Sequence, residues 1–289
     1  MTICSSGVSV EVCSIKRLLA LPHSPSQLNF SFTLFTNQLL QFFLHSRYKS
    51  TTPTSPPLYQ SLTLPLSLTL SQTPCSKMPP RSLFDTYASD ASQINPEGLE
   101  SLFKDLQIPS HSLHALAFMW SLSAKQMGFC TRKEWNTRPG LTSLSTTKSH
   151  IESTFTSIVQ DQKKFEDFYR FLFDFCKEDP EGQKFLPLPL VLSLLECIFA
   201  SEWEREQQFC TTLTQRLYPH INGIICFLRH RQLKGDGLQA LNKDQWNSIL
   251  LFARLVPLDF SGYDARESWP LLLDEFVHWS CSSGAEGRA

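Results

Sequence analysis

From Asp85 onward the apolar residues of this chain recur at helical spacing, and that recurrence restricts the fold more than any other feature. Asn95 suits a helix N-cap and Pro96 the first helical position, after which Leu99, Leu102, Phe103 and Leu106 fall on one stripe at i, i+3, i+4 and i+7. Ser110 is placed to cap a second helix carrying Leu113, Leu116, Ala117, Trp120 and Ala124. Thr131-Arg132-Lys133-Glu134 spells a capping box ahead of a third. The run Phe165–Phe175 is aromatic on most faces, the pattern of a centrally buried helix. An apolar helix over Leu188–Ala200 is followed by a less regular pair over Glu202–Tyr218 and Ile221–Arg231. Asn242-Lys243-Asp244-Gln245 caps a helix with Trp246, Ile249, Leu250 and Ala253 on its inner face. A last helix is expected from about Ala265 to Trp279, burying Trp269, Leu272, Leu273 and Phe276. No strand alternation interrupts the series, and the Asn222-Gly223 dipeptide lacks the alternating flanks of a hairpin. The expected class is all-α.

Charge divides the 289 residues into two kinds of polypeptide. Residues 1–84 hold six basic side chains (Lys16, Arg17, Arg47, Lys49, Lys77, Arg81) against one acid, Glu11, whereas the remainder holds 20 basic and 26 acidic residues. The whole carries a net charge of −1, which gives no reason to expect nucleic acid as a partner. Residues 1–83 read as a low-complexity, disordered extension, with the Pro-rich run Thr52–Pro57 as linker. Leu28–Leu44 is interrupted by Asn29, Ser31, Thr33, Asn37 and Gln38, so no membrane-spanning helix is expected there. The acid-poor, Ser-rich start also matches a mitochondrial presequence, but a disordered tail, or upstream sequence read through to an internal start at Met78, is the preferred reading. The organisation expected is an extension over 1–83, a helical domain over 84–280 and a flexible tail over 281–289. The expected location is nucleus and cytoplasm, or mitochondria if residues 1–77 are a genuine presequence.

Recognisable catalytic chemistry is absent from the sequence. The nine cysteines form no C-x-x-C or C-x-x-H pair, so reduced thiols are expected rather than a disulfide framework or a zinc site. Around Asp179-Pro180-Glu181-Gly182, a calcium loop with Gly182 at its sixth position would put Lys177 first and Leu188 twelfth, where oxygen ligands are required. Phosphate loops, nucleophile elbows and H-E-x-x-H are missing. His111 and His114 lie i, i+3 with no carboxylate near them in sequence, which reads as a solvated helix face. Neither metal nor cofactor is expected.

Two C-terminal stretches carry a resemblance: Lys243-Asp244-Gln245-Trp246, and the run from Asp259 to Val277 (DFSGYDARESWPLLLDEFV). They resemble the defective-in-cullin-neddylation family in its potentiating-neddylation domain. Glu97-Gly98-Leu99, Asp105-Leu106, Trp120, Met127-Gly128, Phe165–Phe175 and Gly182-Gln183-Lys184 extend the similarity over roughly 84–280. The ubiquitin-associated domain of many relatives is not visible. The resemblance implies two EF-hand-like helical halves without calcium sites. It implies a scaffold-type ligase with no catalytic residue of its own. Such a scaffold holds a cullin's C-terminal winged-helix domain beside the neddylation-conjugating enzyme and supplies proximity, while the thioester chemistry belongs to that enzyme. An alternative is a helical interaction module that keeps cullin binding without neddylation activity.

The resemblance also assigns two sites. Its cullin-binding patch falls on Asp244, Ser268 and Asp274, with Ser268 where relatives have Ala. Its apolar pocket for the N-acetylated initiator Met of the conjugating enzyme falls on Pro96, Leu99, Ala115, Phe118, Met127, Gly128, Cys130 and Phe175. Many relatives carry an aromatic where Cys130 stands and a bulkier residue where Ala115 stands.

Overall fold

The computed structural model describes residues 82–286 apart from 202, 236 and 267, so the reading of the N-terminal extension lies outside the described residues. In chain order these form α1 (Leu83–Tyr87), β1 (Gln93–Ile94), α2 (Pro96–Leu106), α3 (Leu113–Ser121), β2 (Cys130–Thr131), α4 (Arg132–Trp135), α5 (Leu144–Gln160) and α6 (Gln162–Phe175). Then come β3 (Phe185–Pro187), α7 (Leu188–Phe199), α8 (Glu204–Thr212), a π-helical turn (Leu213–Leu217), α9 (Ile221–Lys234), β4 (Ala240–Asn242), α10 (Lys243–Leu255) and α11 (Leu271–Glu286). The class is helical, as the periodicity indicates. No helix among the described residues is long and apolar enough to cross a membrane.

Four short strands were not visible in the sequence. β1 pairs antiparallel with β2, Ile94 opposite Cys130, and β3 pairs antiparallel with β4, Leu186 opposite Leu241. Strands of two or three residues cannot display an alternation, which explains the omission. Each strand leads directly into a helix, so each ribbon couples two helix starts: α2 with α4, and α7 with α10.

Local caps set those starts. Asn95 Oδ1 accepts from Gly98 N at 2.9 Å. A Cβ on Gly98 would lie 2.1 Å from Tyr87 O, so only glycine lets α2 approach α1 this closely. Thr131–Glu134 and Asn242–Gln245 both form the reciprocal capping boxes expected of them. The cap of α3 is Ser112 rather than Ser110, because its hydroxyl accepts from Ala115 N at 3.2 Å. Ser123, at φ 52°, stops the helix, and Ala124 packs into the core from beyond its end.

Two further expectations are corrected. The final helix begins at Leu271 rather than near Ala265, because Trp269 precedes Pro270 and is biased away from helical backbone, and it continues to Glu286, past the expected end at Trp279. The Phe165–Phe175 helix is amphipathic rather than buried all round: Phe165, Phe168, Tyr169, Leu172, Phe173 and Phe175 face the core, while Asp167 and Arg170 remain exposed. The core is continuous through the described residues, with α3 packed against α5 and α7 against α9.

His114 is not on a solvated face. It is 2% exposed, stacks on Phe155 at 3.9 Å, and sets Nδ1 2.7 Å from Oε1 of the wholly buried Glu206. The same carboxylate accepts from His114 N at 3.0 Å and from Ser201 Oγ at 2.7 Å. These bonds tie α8 to the start of α3. His114 and Glu206 stand 92 residues apart, beyond the reach of any local pattern.

Candidate functional site

Asp244 owes its position to the cap of α10. Gln245 N donates to Asn242 Oδ1 at 2.8 Å and Asn242 N donates to Gln245 Oε1 at 3.0 Å, fixing the turn that carries it. Below that turn, Trp246 stacks on Tyr169 at 4.3 Å with 9° between the rings. Trp246 Nε1 donates to Tyr169 O at 3.1 Å, and Tyr169 OH donates to Trp246 O at 3.0 Å. The buried clasp locks α10 to α6 and leaves Asp244 exposed in the first turn, where a carboxylate suits the helix dipole. Beside it, Asp174 accepts from Lys243 at 2.6 Å and Lys177 at 2.7 Å. Partial burial alone would raise the Asp174 pKa, but the two ammonium groups hold it below the usual carboxylate value.

Asp274 lies half-buried in the first turn of α11, where its Oδ1 accepts from Tyr263 OH. Burial first, then that bond and the carboxylate charge, push the Tyr263 hydroxyl up to about 12. Tyr263 belongs to an aromatic cluster centred on Phe252, which meets Trp269 at 5.3 Å, Phe276 at 5.9 Å and Tyr263 at 6.2 Å. Ser268 is exposed immediately before Trp269. The cluster therefore holds the 257–270 loop against α10 and α11, and brings Ser268 and Asp274 to the same structural unit. Asp244 lies eight residues, or about 12 Å, along α10 from Phe252.

Two features of this region were not legible in the sequence. Leu251 and Leu255 follow Asp244 by about two and three helical turns, so they share its face, and they are 41% and 57% exposed. Asp274 also borders a groove of about 550 Å³ between α9 and α11, with Phe227, Arg231, Leu271 and Trp279 among its walls. Leu271 is 70% exposed, an apolar residue that the sequence assigned to no site.

The second set of residues is placed differently. Pro96, Met127 and Gly128 are half-exposed. Gly128 has φ +80°, and a Cβ there would meet Pro96 Cγ at 3.3 Å. Met127 N donates to Phe175 O at 3.1 Å, which joins this edge to the end of α6. Leu99, Ala115, Phe118, Cys130 and Phe175 are all at most 5% exposed. Phe118 meets Phe103 at 6.1 Å and Trp135 at 5.9 Å, both edge to face. Cys130 is buried in β2, and desolvation followed by the nearby Glu134 charge pushes its thiol up to about 12. A surface edge and a core interior thus meet at this place.

The family model described as cullin binding matches residues 146–279, a span that contains Asp244, Ser268, Asp274 and Phe175 but none of the other pocket positions. The chain is 32% identical to human DCN1-like protein 5 over 200 residues, covering 68% of this chain and 74% of that one. It is 29% identical to Drosophila melanogaster DCN1-like protein 4 over 198 residues, covering 67% and 70%. It is 30% identical to Dictyostelium discoideum DCN1-like protein 2 over 200 residues, covering 68% and 67%.

Proposed function

This chain belongs to the DCN1-like family and carries its cullin-binding domain, and on that premise we propose that it promotes cullin neddylation as a scaffold. It binds a cullin's C-terminal winged-helix domain through Asp244, Ser268 and Asp274 and holds it beside the N-acetylated neddylation-conjugating enzyme. The observation that carries the cullin half is the family match over α5 to α11, within which the two carboxylates occupy first turns of the last two helices. An acid pair on a rigid frame suits Lys and Arg on a partner and steers its approach. Holding the acceptor lysine near the charged thioester converts an encounter into an oriented pair, so the scaffold needs no nucleophile of its own. The paired helix–strand–helix starts support an EF-hand-like reading of the two halves.

Reconstituted cullin neddylation tests this. Adding the full chain should raise the rate of modifier transfer, and the Asp244→Arg, Asp274→Arg double variant should not. Equal rates with and without the chain would overturn the scaffold reading. A second reading, a module that binds cullin without promoting transfer, is favoured by the burial of Ala115, Phe118 and Cys130. Calorimetric titration with acetylated and free Met-starting peptides separates the two. Preference for the acetylated peptide supports the scaffold, since a buried ammonium would be costly, and no binding of either supports the module.

A further inference from the structure

The second half of α10 leaves apolar side chains in water. At 3.6 residues per turn, Leu251 and Leu255 each lie within about 20° of Asp244 around the helix axis, and Ser248 within about 40°. The outward stripe of α10 is therefore acidic at its start and apolar at its end, with Leu251 41% and Leu255 57% exposed. Exposed leucines scattered singly are ordinary on a protein surface. Two of them aligned with Asp244 form a pattern.

The stripe sits on a fixed frame. Trp246, Ile249, Leu250 and Ala253 are buried on the opposite side of the helix. Along one margin Arg254 is ion-paired with Glu166 of α6. Along the other, Phe252 meets Trp269 at 5.3 Å and Tyr263 at 6.2 Å, and Tyr263 OH donates to Asp274. Leu251 directly precedes Phe252 and lies about 10 Å along the axis from Asp244. A single partner that touches Asp244 and reaches the unit anchored on Phe252 therefore crosses α10 at the level of Leu251.

Two leucines do not make an interface by themselves. Specific complexes bury about 800 Å² on each partner, several times what two side chains contribute. These leucines serve as part of a wider contact, and the surface that adjoins them is the acidic patch inside the cullin-binding match.

We propose that the cullin winged-helix domain covers Leu251 and Leu255 as well as the acidic patch, with an apolar side chain of the cullin set beside the basic groups that meet the two carboxylates. This extends the cullin-binding reading and rests on it. The carboxylates steer the approach and set the register. The leucines add affinity that salt does not screen, because burying them removes apolar area from water and involves no charge.

Calorimetric titration of the full chain with an isolated cullin winged-helix domain, at low and physiological salt, tests the stripe. The Leu251→Ala, Leu255→Ala double variant should bind about tenfold more weakly, which at ~25 cal/mol per Å² is the loss of roughly 55 Å² of buried apolar area. Its salt dependence should match wild type, whereas that of Asp244→Arg should not. Leu144→Ala, at an exposed leucine on α5, should bind as wild type does. Weakening in Asp244→Arg with wild-type affinity in the leucine variant would overturn the proposal and leave the patch standing. Weakening in the leucine variant with none in Asp244→Arg or Asp274→Arg would uphold the stripe and overturn the patch. Equal losses in Leu144→Ala would overturn the stripe, and so would leucine-dependent dimerisation in sedimentation velocity with cullin affinity unchanged, which would assign the face to a second copy. If the double variant failed to fold, wild-type affinity in Leu255→Gln would overturn the proposal alone.

Discussion

The two ribbon-coupled halves start their helices by the same device and use the result in opposite ways. In the first half, β1 and β2 bring α2 and α4 together, and the residues that matter there face inward: Cys130 and Phe118 are 0% exposed. In the second half, β3 and β4 bring α7 and α10 together, and α10 turns Trp246 inward while Asp244, Leu251 and Leu255 remain outside. The difference lies in the length of the helix that leaves the ribbon. α4 is four residues long and has one buried residue, Trp135, whereas α10 is 13 residues long and can present a second face. A short capped turn closes a core, and a long one exposes a surface.

The largest expected effect exploits that contrast. Phe118→Ala should cost about 3–5 kcal/mol of stability, the range for deleting a buried aromatic ring. Leu255→Ala, on the exposed face of α10, should change stability by less than about 0.5 kcal/mol. Urea unfolding of the full chain followed by circular dichroism measures both. Comparable losses would mean that the first half is not the closed unit that its burial describes.

Charge reversal comes next. Asp244→Arg or Asp274→Arg should weaken cullin binding by about 2 kcal/mol, since each sets like charge against a basic partner. Wild-type affinity should also fall between low and physiological salt, because charges separated by more than about 8 Å are screened at 0.15 M. Binding unaffected by both the reversals and salt would move the interface off the acidic turns, towards the Leu251 and Leu255 face.

The legibility of these two halves in sequence differs for a physical reason. Caps and stripes are local, so Asn95, Thr131 and Asn242 could be assigned from three or four neighbours, and all three cap as expected. The cullin-binding domain was legible through a resemblance carried by two C-terminal stretches, 243–246 and 259–277, both inside the span of the family match. Pocket depth was not legible: whether Phe118 faces a ligand or Trp135 depends on a ring brought from another helix. Glu206 escaped for the same cause, since the buried partner of His114 lies 92 residues away. Ser110 failed by two positions, because hydroxyls at 110 and 112 look alike until one of them meets Ala115 N.

A smaller effect concerns the bond that holds Asp274 in place. Tyr263→Phe should cost about 1 kcal/mol, the net value of a typical hydrogen bond. The Tyr263 hydroxyl is raised to about 12 in the fold against an ordinary 10.0. A raised folded pKa gives stability that is fully present below pH 10 and is lost as pH climbs towards 12. Melting temperatures of wild type and variant should therefore converge across that interval. A gap that persisted above pH 12 would show that ring packing, rather than the hydroxyl, accounts for the difference.

The smallest effect compares the two capping boxes themselves. Asn242 Oδ1 receives Gln245 N at 2.8 Å and starts a helix of 13 residues that carries the Trp246 clasp. Thr131 Oγ1 receives Glu134 N at 3.3 Å and starts a helix of four. Glu134 has independent ties, accepting from Lys125 N at 3.0 Å and from Thr131 N at 2.7 Å, and neither needs the Thr131 side chain. Asn242→Ala should therefore cost about 1 kcal/mol, the typical value for a lost cap, and Thr131→Ala about 0.5 kcal/mol, the low end of the range. Urea midpoints at constant slope resolve the pair. A larger loss at Thr131 would mean that the short helix, with its buried Trp135, is held by its cap rather than by the core around it, and the closed half would then depend on its first turn more than the open one does.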